Sequence, residues 1–252
     1  MDLNIAGRAA LVSGASSGIG AGIARALACE GVRVAVTARR SERLEQLASE
    51  IEGAGGVRPV TVAGDVTDAQ DLARIVAEAE AALGPIDILV NSAGGSRPLS
   101  AIAGDAAWDE AFALNFTAAR RLAERLLPGM RERRWGRIVN ISGSMEPRSV
   151  NAASAAKAAL HLWAKGLACE VAADGITINT IPPGRINSEQ ILQKLHPTEA
   201  ARQEFIQRNI PIGYFGEPGD IAALVTFLVS PLARYITGTV IPVDGGMHYF
   251  AH

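Results

Sequence analysis

Short apolar runs alternate with amphipathic stretches along nearly the whole chain. The runs at 9–12, 32–37, 60–62, 86–90, 138–141, 176–181 and 240–243 are rich in Val and Ile and too short for helices, which predicts seven strands. The stretches 20–30, 41–52, 68–83, 105–134, 150–174 and 218–229 carry apolar residues at helical spacing. A strand, a helix and a further strand make a right-handed crossover. The expected architecture is therefore α/β, a doubly wound parallel sheet of seven strands with helices on both faces. The strands are apolar almost throughout, as a sheet covered on both faces requires. No linker, repeat or low-complexity tract divides residues 1–252, so the chain reads as one domain. One stretch breaks the rhythm: residues 185–215, between the sixth and seventh runs, are longer than a crossover needs. Its helical part, 188–208, is expected to act as a lid over a cleft at the strand ends, the alternative being a surface hairpin.

Composition narrows the partners. Nearly half the residues are apolar, and 24 basic against 26 acidic side chains leave a net charge of −2. That balance gives no reason to expect nucleic acid or an anionic membrane. No apolar run approaches the roughly 18 residues a membrane helix needs, and the first residues lack a signal-peptide pattern, so a soluble, cytoplasmic protein is expected. Cys29 and Cys169 lie in Ala-rich helical patterns and are expected to be buried thiols. The histidines His161, His196, His248 and His252 show no metal-ligand spacing, so no catalytic metal is expected. Trp108 and Trp163 are expected to anchor core or interface.

Candidate chemistry begins where the first strand ends. Ser13-Gly14-Ala15-Ser16-Ser17-Gly18-Ile19-Gly20 runs from a strand into a helix. Glycines there permit a tight turn and close backbone approach, and the helix N-terminus offers free N–H groups to phosphate oxygens. The spacing G-x-x-x-G-x-G differs from the common dinucleotide fingerprint. It resembles the glycine motif of the short-chain dehydrogenase/reductase family.

That resemblance extends over essentially the whole chain. Asp65-Val66 closes the third strand, where the family's Asp contacts adenine. Asn91-Ser92-Ala93-Gly94 is similar to the family's N-N-A-G, and Asn115 matches its helix Asn. Pro183-Gly184-Arg185-Ile186-Asn187-Ser188 looks like the P-G-x-I-x-T segment that lines the nicotinamide. Residues 217–246 resemble the C-terminal part of β-ketoacyl carrier-protein reductases. The resemblance implies a Rossmann-type fold, a dinucleotide cofactor held by Gly14, Ser16, Ser17, Gly18, Ile19, Gly20, Asp65, Val66, Asn91, Ala93, Gly94, Lys157, Pro183, Gly184, Ile186 and Ser188, and a small carbonyl or alcohol substrate.

Which dinucleotide follows from the end of the second strand. A carboxylate there would accept from the ribose 2′-hydroxyl and repel a 2′-phosphate. The chain has Thr37-Ala38-Arg39-Arg40, no acid and two guanidinium groups suited to phosphate, so NADP(H) is expected, with Arg39 and Arg40 as its readers. The alternative is two solvated loop charges.

The chemistry end departs from the family. There, the Tyr of Y-x-x-x-K exchanges a proton with the substrate oxygen, the Lys lowers that Tyr's pKa, a Ser steadies the oxygen and the Asn supports a water relay. Lys157 matches the Lys, but Ala153 stands where the Tyr should be. The usual Ser-Ser after the fifth strand is Ser142-Gly143, followed by Ser144, and the loop to Ala153 is shorter than the family's. Asn115, Ser142, Ser144 and Lys157 are the catalytic candidates. Three readings stay open. A substitution was introduced into an ordinary reductase, which the altered serine and short loop speak against. A divergent reductase takes its proton from Ser142, Ser144, Glu146, a water on Lys157 and Asn115, or Tyr249 of a neighbouring subunit. Or the site binds the dinucleotide but its redox chemistry is lost or changed. His161, one turn beyond Lys157, is expected to be a polar residue on a packed helix. Arg185, Gln190, Lys194 and His196 in the insertion could meet an acidic substrate or solvent. Alanines along 150–174 allow close helix approach, and the resemblance implies a homotetramer.

Overall fold

The computed structural model describes residues 2–147, 149–189 and 191–250, without the side chains of Gln193 and Lys194. Six strands, β1 (Ala9–Ser13), β2 (Arg33–Ala38), β3 (Val60–Ala63), β4 (Ile88–Asn91), β5 (Gly136–Ile141) and β6 (Ile176–Ile181), form one sheet in the order β3-β2-β1-β4-β5-β6. Every pairing is parallel. The helices are α1 (Gly18–Cys29), α2 (Ser41–Gly53), α3 (Ala69–Leu83), α4 (Asp105–Phe112), α5 (Ala118–Glu132), α6 (Ala152–Val171), α7 (Glu199–Asn209) and α8 (Pro218–Leu228). β1, β4, β5 and β6 are buried along their whole length, as strands covered on both faces must be. Two apolar cores result. One packs α1, α2 and α8 on the sheet through Ile23, Leu27, Leu44 and Val225; the other packs α3, α5 and α6 through Ile75, Leu122 and Ala164.

The strand order reverses between β1 and β4, whose last residues, Ser13 and Asn91, pair in register. In such a sheet the chain leaves these two strands in opposite directions and opens a crevice beyond their carboxyl ends. The functional candidates converge there.

Three expectations need correction. The sheet has six strands, not seven: residues 238–243 run beside β6 but pair only through isolated bridges, Thr180 with Val240 and Pro183 with Val243. Thr180, Pro182 and Gly184 face this segment, and Pro182 has no amide proton, so the ladder between the two bridges lacks a donor. The predicted helix 105–134 is interrupted by a π-helical turn at Ala113–Thr117. Within it Asn115 Nδ2 donates to the Ala111 carbonyl at 2.9 Å, competing with the regular backbone bonds. Finally, Cys29 and Cys169 are exposed. Each directly follows a buried alanine, Ala28 or Ala168, and one residue turns the helix about 100° toward solvent.

Candidate active site

The turn after β1 is shaped by glycine. Gly14 has φ +69°, and a Cβ there would lie 2.6 Å from the Ala93 amide nitrogen. The β1 and β4 ends approach that closely because residue 14 has no side chain. Ser13 Oγ ties the same two ends, accepting from the amides of Ser92 and Ala93 at 3.2 and 3.3 Å. Gly18 also has positive φ, +55°, and faces Ser188 of the insertion. The first turn of α1 has no side-chain cap from Ser17, so its amides remain available to an anion. The serine hydroxyls are engaged elsewhere: Ser16 and Ser17 accept from Arg40 Nη2 at 3.1 and 3.0 Å. Arg40 also pairs with Glu189 at 2.9 Å, and Arg43 reaches the same carboxylate at 3.4 Å. Arg39 projects outward, its side chain 77% exposed and 4.0 Å from Asp65. Two cationic heads therefore stand at the end of β2 beside uncapped helix amides. This glycine cradle fits the pyrophosphate of a dinucleotide.

A cleft of about 540 Å³ runs from this turn across the ends of β4 and β5. It brings together Gly14, Ser17, Gly18, Ile19, Gly20, Gly94, Ser142, Ser144, Lys157, Pro183, Gly184, Ile186 and Ser188 of the candidates. Gly184 lies against Asp244, where a Cβ would come within 2.6 Å of the Asp244 Cα. The remaining candidates stand off the cleft surface. Asn91 is buried and donates to Asn140 Oδ1 at 2.9 Å, tying β4 to β5. Val66 is a core residue, and Asp65 accepts from the amide and hydroxyl of Thr67. Ala93 belongs to the Ser13-bound turn.

Lys157 comes from α6, whose N-terminus is capped by Asn151 accepting from the Ala153 amide at 3.0 Å. Its Nζ donates to the Ile141 carbonyl, at the end of β5, at 3.0 Å. Burial lowers its pKa from the usual lysine range to about 8. Asn115 accepts from the Gly95 amide at 3.0 Å, and both Asn115 Oδ1 and Lys157 Nζ lie close over Gly94. The π turn thus carries Asn115 to the lysine from behind the cleft wall. Ala153 lines the cleft at 4% exposure, with no phenol. Ser142 is buried, whereas Ser144 is exposed and accepts from the Glu146 amide. Glu146 is also bound by the amide of Tyr249 at 2.8 Å.

Two expectations change here. His161 is not merely a polar residue on a packed helix: its Nε2 lies 2.8 Å from Ser142 Oγ. The i, i+4 spacing from Lys157 was the signal for a shared face. Burial, then the Lys157 charge, lowers its pKa. In the insertion, Arg185 and His196 meet aromatic rings, with no carboxylate paired to either among the described residues. The Arg185 guanidinium lies 4.8 Å from the Phe205 ring centre, and His196 packs between Phe205 and Phe215. Both are held below their ordinary pKa, chiefly by burial. Gln190 and the Lys194 side chain lie outside the described residues, as does His252. The predicted helical part is a π turn, Ile191–Leu195, followed by α7. Ile191, Ile210 and Phe215 are buried together with Met247 against them.

A sequence-family model described as Enoyl-(Acyl carrier protein) reductase matches residues 14–248. The chain belongs to the short-chain dehydrogenase/reductase family. A 3-oxoacyl-[acyl-carrier-protein] reductase of Vibrio harveyi is 37% identical over 98% of this chain and 99% of its own. L-sorbose reductase of Gluconobacter frateurii, solved with NADPH and L-sorbose, superposes with TM-score 0.93 at 34% identity, covering 98% of each chain. A 7α-hydroxysteroid dehydrogenase solved with NADH gives TM-score 0.88 at 30% identity, over 98% of this chain and 96% of that one. This short-chain dehydrogenase/reductase is accordingly an oxidoreductase that transfers a hydride with a nicotinamide dinucleotide. Among the described residues, no helix is long and apolar enough to cross a membrane.

Proposed function

We propose that the protein is an NADP(H)-dependent reductase of a small carbonyl compound, of the 3-oxoacyl or sugar-ketone kind that its relatives' names describe. The dinucleotide, when bound, supplies or takes the hydride. Gly14, Gly18, Ile19 and Gly20 hold its pyrophosphate on the α1 amides, and Arg39 and Arg40 read the 2′-phosphate. Asp65 and Val66 border the adenine, Gly94, Pro183, Gly184, Ile186 and Ser188 border the nicotinamide, and Lys157 holds its ribose. Lys157 and Asn115 keep a positive charge and a hydrogen-bonded wall beside the reacting oxygen, while Ser142 and Ser144 offer hydroxyls to it. Residues 185–215 are the lid, excluding water when the aromatic cluster closes over the substrate. The protein acts in the cytoplasm as a homotetramer, for which the exposed Ala155, Ala158 and Leu162 of α6 supply an apolar contact face.

The observation that carries this reading is the Lys157 ammonium fixed to the Ile141 carbonyl in the same cleft as the glycine cradle. A nucleotide-binding protein without turnover is the second reading, favoured by Ala153 at the Tyr position. Fluorescence titration of NADPH followed by a screen of carbonyl compounds separates the two. Turnover by the parent chain, abolished by Lys157→Ala, supports the reductase; micromolar binding with no turnover on any carbonyl refutes it.

A further inference from the structure

We propose that Ser142 and His161 form the proton relay of this site, Ser142 Oγ serving the substrate oxygen and His161 Nε2 exchanging that proton behind it. The inference rests on the hydride-transfer reading above. Ala153, Lys157 and His161 occupy successive i, i+4 positions and therefore one stripe of α6. The first position of the stripe has no proton-transferring group, and the third carries an imidazole. The proton-transferring group is thus displaced two turns along the stripe, past the same lysine. Across from it, Ser142 continues β5, its amide donating to the Ile181 carbonyl at 2.9 Å. Its neighbour's carbonyl, Ile141 O, anchors Lys157 Nζ. The Ser142 backbone is therefore fixed by its own amide, and its hydroxyl lies 2.8 Å from His161 Nε2. It lines the cleft, whereas His161 stands behind it.

In alcohol oxidation the substrate O–H bond breaks and its proton passes to Ser142 Oγ. The Ser142 O–H bond breaks in the same motion and its proton bonds to His161 Nε2, leaving an imidazolium. The two electrons and the carbon-bound hydrogen leave to the nicotinamide dinucleotide, and reduction runs the relay backwards. Ser142 is the catalytic residue; His161 acts through it. The charged group acting on His161 is Lys157. β6 carries no ionisable side chain, and the α4 carboxylates Asp105, Asp109 and Glu110 are exposed, Glu110 being paired with Arg97. With burial and Lys157 both favouring the neutral ring, Nε2 accepts at neutral pH. Oxidation should rise with pH through a value below 6.5 and then level, and reduction should fall over the same range.

Two measurements test this. The first is imidazole NMR titration of the dinucleotide-free protein, parent against Ser142→Ala. The His161 nitrogen shifts should move on Ser142→Ala, and signals unmoved by that change overturn the relay whether or not turnover is found. The second is kinetics of His161→Gln and His161→Ala. Both should keep NADPH affinity, lose on the order of 10²- to 10⁴-fold in kcat and lose the acid limb of the oxidation profile. Variants that retain kcat and that limb overturn the relay alone. A parent chain that binds NADPH but turns over nothing overturns the underlying reading instead.

Discussion

Replacing Arg39 by Asp tests the proposed preference for NADP(H) over NAD(H). The guanidinium follows β2 and is 77% exposed, 4.0 Å from Asp65. An exposed pair of this kind is worth at most about 1 kcal/mol, so it gives little resistance to a competing phosphate. A charge-assisted bond to a phosphate contributes about 1.5–3 kcal/mol. A carboxylate placed about 5 Å from that phosphate adds roughly 1 kcal/mol of repulsion in water. The sum, roughly 2.5–4 kcal/mol, corresponds to a loss of about 10²- to 10³-fold in NADPH affinity. NADH, with a 2′-hydroxyl that the new carboxylate could accept from, should change by less than about threefold. Fluorescence titrations at one fixed ionic strength near 0.15 M decide it, because salt screens exposed charges. Equal weakening of both dinucleotides would refute the assignment of Arg39 to the 2′-phosphate.

Other perturbations probe the cradle and the lysine. Gly14→Ala should cost about 1–2 kcal/mol for its left-handed backbone and about 1–3 kcal/mol for crowding the Ala93 amide. Differential scanning fluorimetry should therefore show Tm lowered by roughly 5–15 °C, with NADPH binding lost; an unchanged Tm would contradict the close approach at 2.6 Å. Lys157→Met should abolish turnover yet raise stability at pH 7, by on the order of 3 kcal/mol if Ile141 O finds another donor. The sign follows from protons: with a folded pKa of about 8 against 10.5 unfolded, the unfolded chain binds more protons between those values. The parent's penalty is complete below pH 8 and gone by about 10.5, so the variant's advantage in urea denaturation should vanish over that window. An advantage that persists above pH 10.5 would show that desolvated charge is not its cause.

Much of the fold was legible because its signals are local. Val- and Ile-rich runs and helical spacing located six of the seven predicted strands and most of the helices to within a few residues. The glycine turn was legible because the conformation it needs belongs to glycine, as the φ of +69° at Gly14 bears out. What the chain hid depends on three-dimensional competition. The π turn at Asn115 arises from a side chain outbidding backbone, which no apolar period reports. The His161–Ser142 contact joins residues 19 apart through the geometry of α6 over β5. Arg185 and His196 looked like polar lid residues, yet their flat rings and fork suit an aromatic cluster that forms only when the insertion folds back. The seventh strand failed because its apolar period said nothing about two prolines, Pro182 opposite it and Pro242 on its own outer side.

Those prolines matter beyond topology. β6, with its Ile-Thr-Ile-Asn-Thr-Ile sequence, is the last strand of the sheet, and left uncovered its edge would be one onto which a strand from another molecule can add and begin an aggregate. Here the amide of Gly238 donates to the Ile178 carbonyl, and Thr180 is bound on both sides by Thr239 and Ile241. The edge is satisfied within its own chain. The covering segment cannot pass the template outward, since Pro242 interrupts its free donors. The broken pairing that shortens the sheet also ends it, giving the molecule a border at which growth by strand addition stops.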